Sequence, residues 1–200
     1  MVHESSQIPQ VTVHGRFQPP LHINHWNYIA HAFRIADKVT ILITNPYLEE
    51  AHVQESPYRN KLENNPFTYE QRVAIFTSFF DAMGIAAARY EFKPFDITNE
   101  KSWHHTLDTD VPNLVNTYGA WSNAKLQKFN TLGYKVIHTT IPKIMNSSGT
   151  VIREILNKDV SPQEKKALLV QAGYMSEAIE GLFRVLGLPY ELTAYIDKAN

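Results

Sequence analysis

Two apolar runs, VTVHG (residues 11–15) and KVTILIT (residues 38–44), bracket a segment of helical periodicity, and that order leaves few folds open. KVTILIT is β-branched and apolar without alternation, the pattern of a strand covered on both faces of a parallel sheet. Between the runs, NHWNYIAHAFRI (residues 24–35) places Trp26, Ile29, Ala30 and Phe33 on one helical face. Strand, helix and strand within about 35 residues form a βαβ unit, whose crossover is nearly always right-handed.

The alternation continues. Residues 45–65 are polar, with prolines at 46 and 57, and are too long for an ordinary connection; they are expected to form a mobile functional loop. Residues 66–84 read as a helix with Thr68 as cap, Gln71 completing a capping box, and Val73, Phe76, Phe79 and Phe80 on the buried side. A third strand is expected in 89–96, a fourth within 113–122 and a fifth in 134–141. NAKLQKFNTLG suits a helix stopped by Gly133, and SGTVIREILNK opens another. Ser161, Pro162 and Glu164 then make a clear helix start. The expected fold is α/β: a doubly wound, Rossmann-like parallel sheet of five or so strands with additional C-terminal helices. The expected organisation is an extension over 1–10, the Rossmann-like domain over 11–160, and a helical extension over 161–200 packed on the same domain.

Hydrophobic residues make up 44% of the 200, enough for one core. Lys+Arg 19 against Asp+Glu 20 leave a net charge of −1. So even a balance gives no general attraction to nucleic acid or membranes, and an anionic ligand must be held locally. With no cysteine, disulfides, thiolate metal sites and cysteine nucleophiles are excluded. The start MVHESSQIPQ has neither a basic region nor an apolar core, so a cytoplasmic protein without a secretory signal is expected.

In open parallel sheets ligands sit beyond the carboxyl ends of the strands, which puts residues 14–25 in the position of a site. Gly15 lets the backbone turn and approach a ligand. Arg16 offers a fork of donors suited to phosphate oxygens, and Pro19 and Pro20 stiffen the loop. His22 and His25, three apart where a helix begins, present both imidazoles to one point near the positive end of the helix dipole. Each feature alone has a bland account, such as a surface histidine pair. Zinc would need further ligands, and no HExxH pattern is present. The coincidence of strand end, glycine, arginine, rigid loop and paired histidines describes a triphosphate cradle. SSGT before VIREIL adds hydroxyls and N–H groups at a second helix start, where plain capping is the alternative.

GRFQPPLHINHWNYI resembles the signature of the nucleotidyltransferase superfamily that carries an HxGH motif, in the GRFQPFHxGH form of archaeal-type nicotinamide mononucleotide adenylyltransferases. NPFTYEQRVAIF (residues 65–76) is similar to that family's PFTxxER block, and SSGTVIREIL (residues 147–156) to its SGTxIR block. The resemblance implies transfer of a nucleotidyl group from a nucleoside triphosphate to a small phosphate-bearing acceptor, with release of pyrophosphate. It implies His22, His25, Arg16 and Arg153 as catalytic residues. Gly15, Phe17, Gln18, Ser148, Gly149 and Thr150 would bind nucleotide, and Trp103, Asn123 and Arg59 the acceptor. Mg²⁺ would be bound through the triphosphate, with no protein metal site, and self-association is implied as well. Trp103 falls where that family stacks a nicotinamide ring, so ATP and nicotinamide mononucleotide are the first expected substrates.

The chain departs from the pattern at three places. Asn24 replaces the glycine of HxGH, the loop before His22 is one residue longer, and Asn64 and Asn65 stand where an arginine is usual. These changes cluster around acceptor and base rather than triphosphate. A cytidylyltransferase acting on a small phosphonate or phosphate is therefore the alternative, and a non-catalytic nucleotide-binding module is the third.

Overall fold

The computed structural model describes residues 7–45, 61–144 and 147–189. Five parallel strands, β1 (Ile8–Gly15), β2 (Ala36–Thr44), β3 (Tyr90–Phe95), β4 (Asn113–Asn116) and β5 (Val136–Thr139), lie in the order β3-β2-β1-β4-β5. The helices are α1 (Ile23–Ile35), α2 (Tyr69–Ala82), α3 (Ala120–Thr131), α4 (Gly149–Leu156), α5 (Pro162–Gln171) and α6 (Ile179–Leu186). The doubly wound α/β expectation holds. Both faces of the sheet are covered: Ile41 and Ile43 enter one core with Phe76 and Phe80, while Leu42 enters the other with Phe95 and Phe129. That two-sided burial is why KVTILIT has no polar alternation.

Strand order reverses between β1 and β4, so the crevice beyond their carboxyl ends is where a doubly wound sheet places its ligand. The expected caps form. Gln71 N–H donates to Thr68 Oγ1 (3.2 Å), Thr68 N–H donates to Gln71 Oε1 (2.9 Å), and Glu164 N–H donates to Ser161 Oγ (3.2 Å).

Two boundaries differ from expectation. β1 begins at Ile8, inside the segment read as an extension, because Ile8 and Gln10 keep register with Ala36 and Lys38 of β2. Pro9 is tolerated there because β4 meets β1 only further on, at Thr12 and Asn113. α3 starts at Ala120, where Ser122 Oγ accepts the N–H groups of Tyr118 (3.0 Å) and Gly119 (3.1 Å). Most of the loop expected over 45–65 lies outside the described residues; Leu62–Asn64 is a single 3₁₀ turn.

The helices after the sheet are part of the same packing. A Cβ on Gly181 of α6 would stand 2.8 Å from Ser78 Cβ on α2, so the two helices meet at backbone distance. The turn between α5 and α6 docks on the loop ahead of α1, with Ile23 N–H donating to the Gly173 carbonyl (2.7 Å) and Met175 N–H to that of Leu21 (3.0 Å). No described helix is long and apolar enough to cross a membrane.

Candidate active site

The segment from Gly15 to His22 folds tightly on itself. Phe17 (φ 49°) and Leu21 (φ 69°) both adopt left-handed backbone, a costly conformation for bulky residues, and the Gln18–Pro19 peptide is cis. Both side chains are buried, so packing holds the strained backbone in place. Phe17 turns back over Gly15, where a Cβ would meet its ring at 2.7 Å, and packs edge-on against Phe76 and His25. Gln18 pairs with the backbone of Phe67 in both directions, Nε2 donating to the carbonyl (2.7 Å) and Oε1 accepting the N–H (3.1 Å). The β1–α1 loop is thereby fastened to the approach to α2.

His22 and His25 stack at the start of α1, ring centroids 3.6 Å apart. The Nδ1 atom of each is buried with no hydrogen-bond partner. Burial, together with the nearby Lys143 ammonium, lowers His22 to about 4. Burial first, then His22 and Arg16, holds His25 well below the ordinary histidine range. Both rings are therefore neutral at pH 7, and an anion bound beside them would oppose the cationic part of that shift. The helix start itself is already partly satisfied: Ile23 N–H bonds to Gly173, and His25 and Trp26 N–H groups both bond to the His22 carbonyl. What α1 would offer an anion is chiefly its imidazoles and its dipole.

The acid response follows in sign. A histidine whose folded value lies below its unfolded value stabilises the fold fully above pH 6.5, and that contribution is lost as pH falls toward the folded value. For His22 the window is pH 6.5 to about 4, and the loss is on the order of 3 kcal/mol. His14 and His25 shift in the same direction, mainly by burial, and steepen the fall. Urea unfolding between pH 7.5 and 4.5 should show stability dropping through this window, and His22→Asn should flatten the slope. A pH-independent midpoint would contradict the burial of these rings.

The second helix start closes on the same loop. Ser148 caps α4, its Oγ accepting from Val151 N–H (3.4 Å). A Cβ on Gly149 would collide with the Gln18 carbonyl oxygen, so only glycine lets α4 approach this closely. Arg153 lies buried, donating Nη1 to the Gln18 carbonyl (2.6 Å) and Nη2 to Asn64 Oδ1 (3.1 Å) and Thr150 Oγ1 (3.2 Å). Arg16 stands half-buried beside this group, and its charge depresses both His25 and Arg72. Gly15, Arg16, Phe17, Gln18, His22, His25, Ser148, Gly149, Thr150 and Arg153 thus converge where the β1–α1 loop meets the start of α4.

The residues expected to bind the acceptor fare differently. Trp103 is completely buried between Phe95, Phe129 and Tyr134, and its Nε1–H donates to the Asp96 carbonyl (3.1 Å). With no face open to a ligand, it is a core tryptophan of the second cluster, and the stacking expectation is corrected. Asn123 is exposed in the first turn of α3. Arg59 lies outside the described residues.

Four residues were missed. Lys143 brings a cation near His22. Asn64, noted only as a departure, accepts from Arg153. Asn24 bonds the segment before α4 through both ends of its amide. Arg72 lies buried and reaches carbonyls at the ends of β1 and β2. Its spacing was legible, since 72, 76, 79 and 80 share a helical face. Among the described residues no group of three or more His, Cys, Asp or Glu is placed to hold a metal ion.

No protein-family profile matches the chain. Over 127 residues it is 30% identical to the phosphonoformate cytidylyltransferase of Streptomyces viridochromogenes, an alignment covering 62% of this chain and 67% of that protein. The chain belongs to the HxGH-motif nucleotidyltransferase superfamily. Among solved structures, the bifunctional NMN adenylyltransferase/ADP ribose pyrophosphatase of Francisella tularensis superposes with a TM-score of 0.55 at 18% identity. That match covers 92% of this nucleotidyltransferase-superfamily chain but only 58% of the bifunctional protein. The same protein complexed with AMP and a Mn ion superposes with a TM-score of 0.52. These two likenesses concern the fold. Within it, the HxGH segment of this superfamily member reads His22-Ile23-Asn24-His25.

Proposed function

We propose that the protein is a cytidylyltransferase, moving the cytidylyl group of CTP onto a small phosphonate- or phosphate-bearing acceptor and releasing pyrophosphate. The observation that carries the choice of substrates is the burial of Trp103, which removes the nicotinamide platform on which the adenylyl reading leaned. The sequence relative, named for the cytidylyl reaction, supports the same direction.

An acceptor oxygen attacks the α-phosphorus, a new P–O bond forms, and the bond to the bridging oxygen breaks as pyrophosphate leaves with the electron pair. An ionised acceptor has no proton to lose, so the protein need only align the groups and stabilise charge. The imidazoles of His22, which is buried, and His25, which is half-buried, both neutral, would donate to phosphate oxygens in a site where water competes weakly. Arg16 and Lys143 would supply the flanking positive charge. Arg153, through its bonds to Gln18, Asn64 and Thr150, would hold the two halves of the cradle together. Mg²⁺ carried by the triphosphate would keep several waters and need no carboxylate cage from the protein. Bound that way, Mg²⁺ would neutralise charge on the departing pyrophosphate.

The reading is tested by measuring pyrophosphate release from ATP, CTP, GTP and UTP against phosphonate and phosphate acceptors, nicotinamide mononucleotide included. Release with CTP and a small phosphonate or phosphate is expected. Release only with ATP and nicotinamide mononucleotide would restore the dinucleotide-forming reading, which keeps the order of the three sequence blocks in its favour. No release from any pair would leave a non-catalytic nucleotide-binding module.

A further inference from the structure

Asn24 stands where the HxGH motif has glycine, and both ends of its side-chain amide are engaged. Nδ2 donates to the Ser147 carbonyl (2.9 Å), and Oδ1 accepts the Ile144 N–H (2.7 Å). An asparagine in the first turn of a helix ordinarily bonds to backbone nearby. Here the partners are 123 and 120 residues further along the chain. They bound a segment that starts just after Lys143, whose charge bears on His22, and that leads into Ser148, the cap of α4. The α5–α6 turn backs the same corner. Ile23 N–H donates to the Gly173 carbonyl, and a Cβ on Gly173 would stand 3.2 Å from both Ile23 and Ser147.

We infer that Asn24 is a positioning residue of the triphosphate cradle, its amide fixing Lys143 and the start of α4 relative to the imidazole pair on either side of it. A polyphosphate is gripped by both groups at once, so their separation sets how well it is held. Glycine at this position would make neither bond. The direct contact between the two halves would then rest on Arg153 and Gly149, at the other end of the α4 start, with the α5–α6 turn bridging behind them. The inference rests on the nucleotidyl-transfer reading and locates a specific part of it in a residue that the superfamily pattern lacks.

The test uses the full chain and inorganic tripolyphosphate with Mg²⁺, measured by calorimetry, alongside urea unfolding and steady-state kinetics. Wild-type protein is expected to bind tripolyphosphate. Loss of two hydrogen bonds in Asn24→Ala should weaken that binding about tenfold. Asn24→Asp keeps an acceptor for Ile144 but loses the donor to Ser147 and adds negative charge beside the anion, so it should bind more weakly still. In turnover, Asn24→Ala should raise the KM for the triphosphate and leave the KM for the acceptor in place. Equal tripolyphosphate affinity in wild type and Asn24→Ala, whatever their stabilities, would reduce Asn24 to a structural tie and overturn the inference. No binding by the wild type would instead overturn the cradle itself, and the inference with it.

Discussion

Replacing His25 with alanine is expected to lower kcat for pyrophosphate release by about 10²–10³-fold while leaving the acceptor KM within a few-fold of wild type. The imidazole is neutral and its surroundings partly exclude water, so a hydrogen bond from it to a phosphate oxygen gains strength as charge develops in the transition state. Binding of the ground state gains much less. His25→Asn keeps a donor and should recover part of the loss. The control is thermal unfolding of His25→Ala, because the ring also packs against Phe17 and His22. An unchanged kcat in a folded variant would remove His25 from the reaction.

Arg72→Ala should be the most destabilising single change near the site. Its guanidinium donates to four carbonyls: Nη1 to Arg16 (2.8 Å) and Thr44 (3.0 Å), Nη2 to Asn45 (3.0 Å), and Nε to Thr68 (3.1 Å). Three of those carbonyls lie at the ends of β1 and β2, and the fourth, that of Thr68, also accepts the Arg72 backbone N–H at the start of α2. Burial, opposed only partly by Glu70 and Tyr69, lowers Arg72 to about 10, so it stays charged at neutral pH. Removing it takes the shared donor from these carbonyls, that of the buried Thr44 among them, and empties the volume of a fully buried side chain, a loss of about 3–5 kcal/mol. In a domain of this size the melting temperature should fall by about 10 °C. Arg72→Lys should rescue little, since one ammonium with three donors cannot span the four acceptors. A variant melting within a degree or two of wild type would show that these carbonyls find water or other partners instead.

Much of the candidate site could be read from order along the chain. Gly15, Arg16, His22 and His25 follow a strand end, and Ser148, Gly149 and Thr150 open a helix; in a doubly wound sheet both positions face the same edge. Their convergence needed only the topology. Trp103 was misread because its place after the third strand says nothing about which way the ring turns. A 3₁₀ segment (Glu100–His105) carries it inward against Phe129 and Tyr134, residues more than 20 positions away. Arg153 was expected at the phosphates, yet its bonds run to Gln18, 135 residues distant, and to Asn64. Asn24 stood out only as a replacement of the motif glycine, and its bonds run to Ile144 and Ser147, 120 and 123 residues distant.

Local pattern alone determined the strand and helix succession, the two-sided burial of the sheet and the helix caps, because each depends on residues within a few positions of one another. The tertiary structure decided what the buried polar groups do. Arg72, Arg153, Asn24 and the α5–α6 turn all bond to partners far along the chain, and no periodicity records a partner at that distance. The physical reason is that a buried donor must be satisfied wherever the fold happens to place a carbonyl. The proposed grip on an anion at the end of β1 would therefore be a property of assembled segments, each of which on its own reads as an ordinary loop or cap.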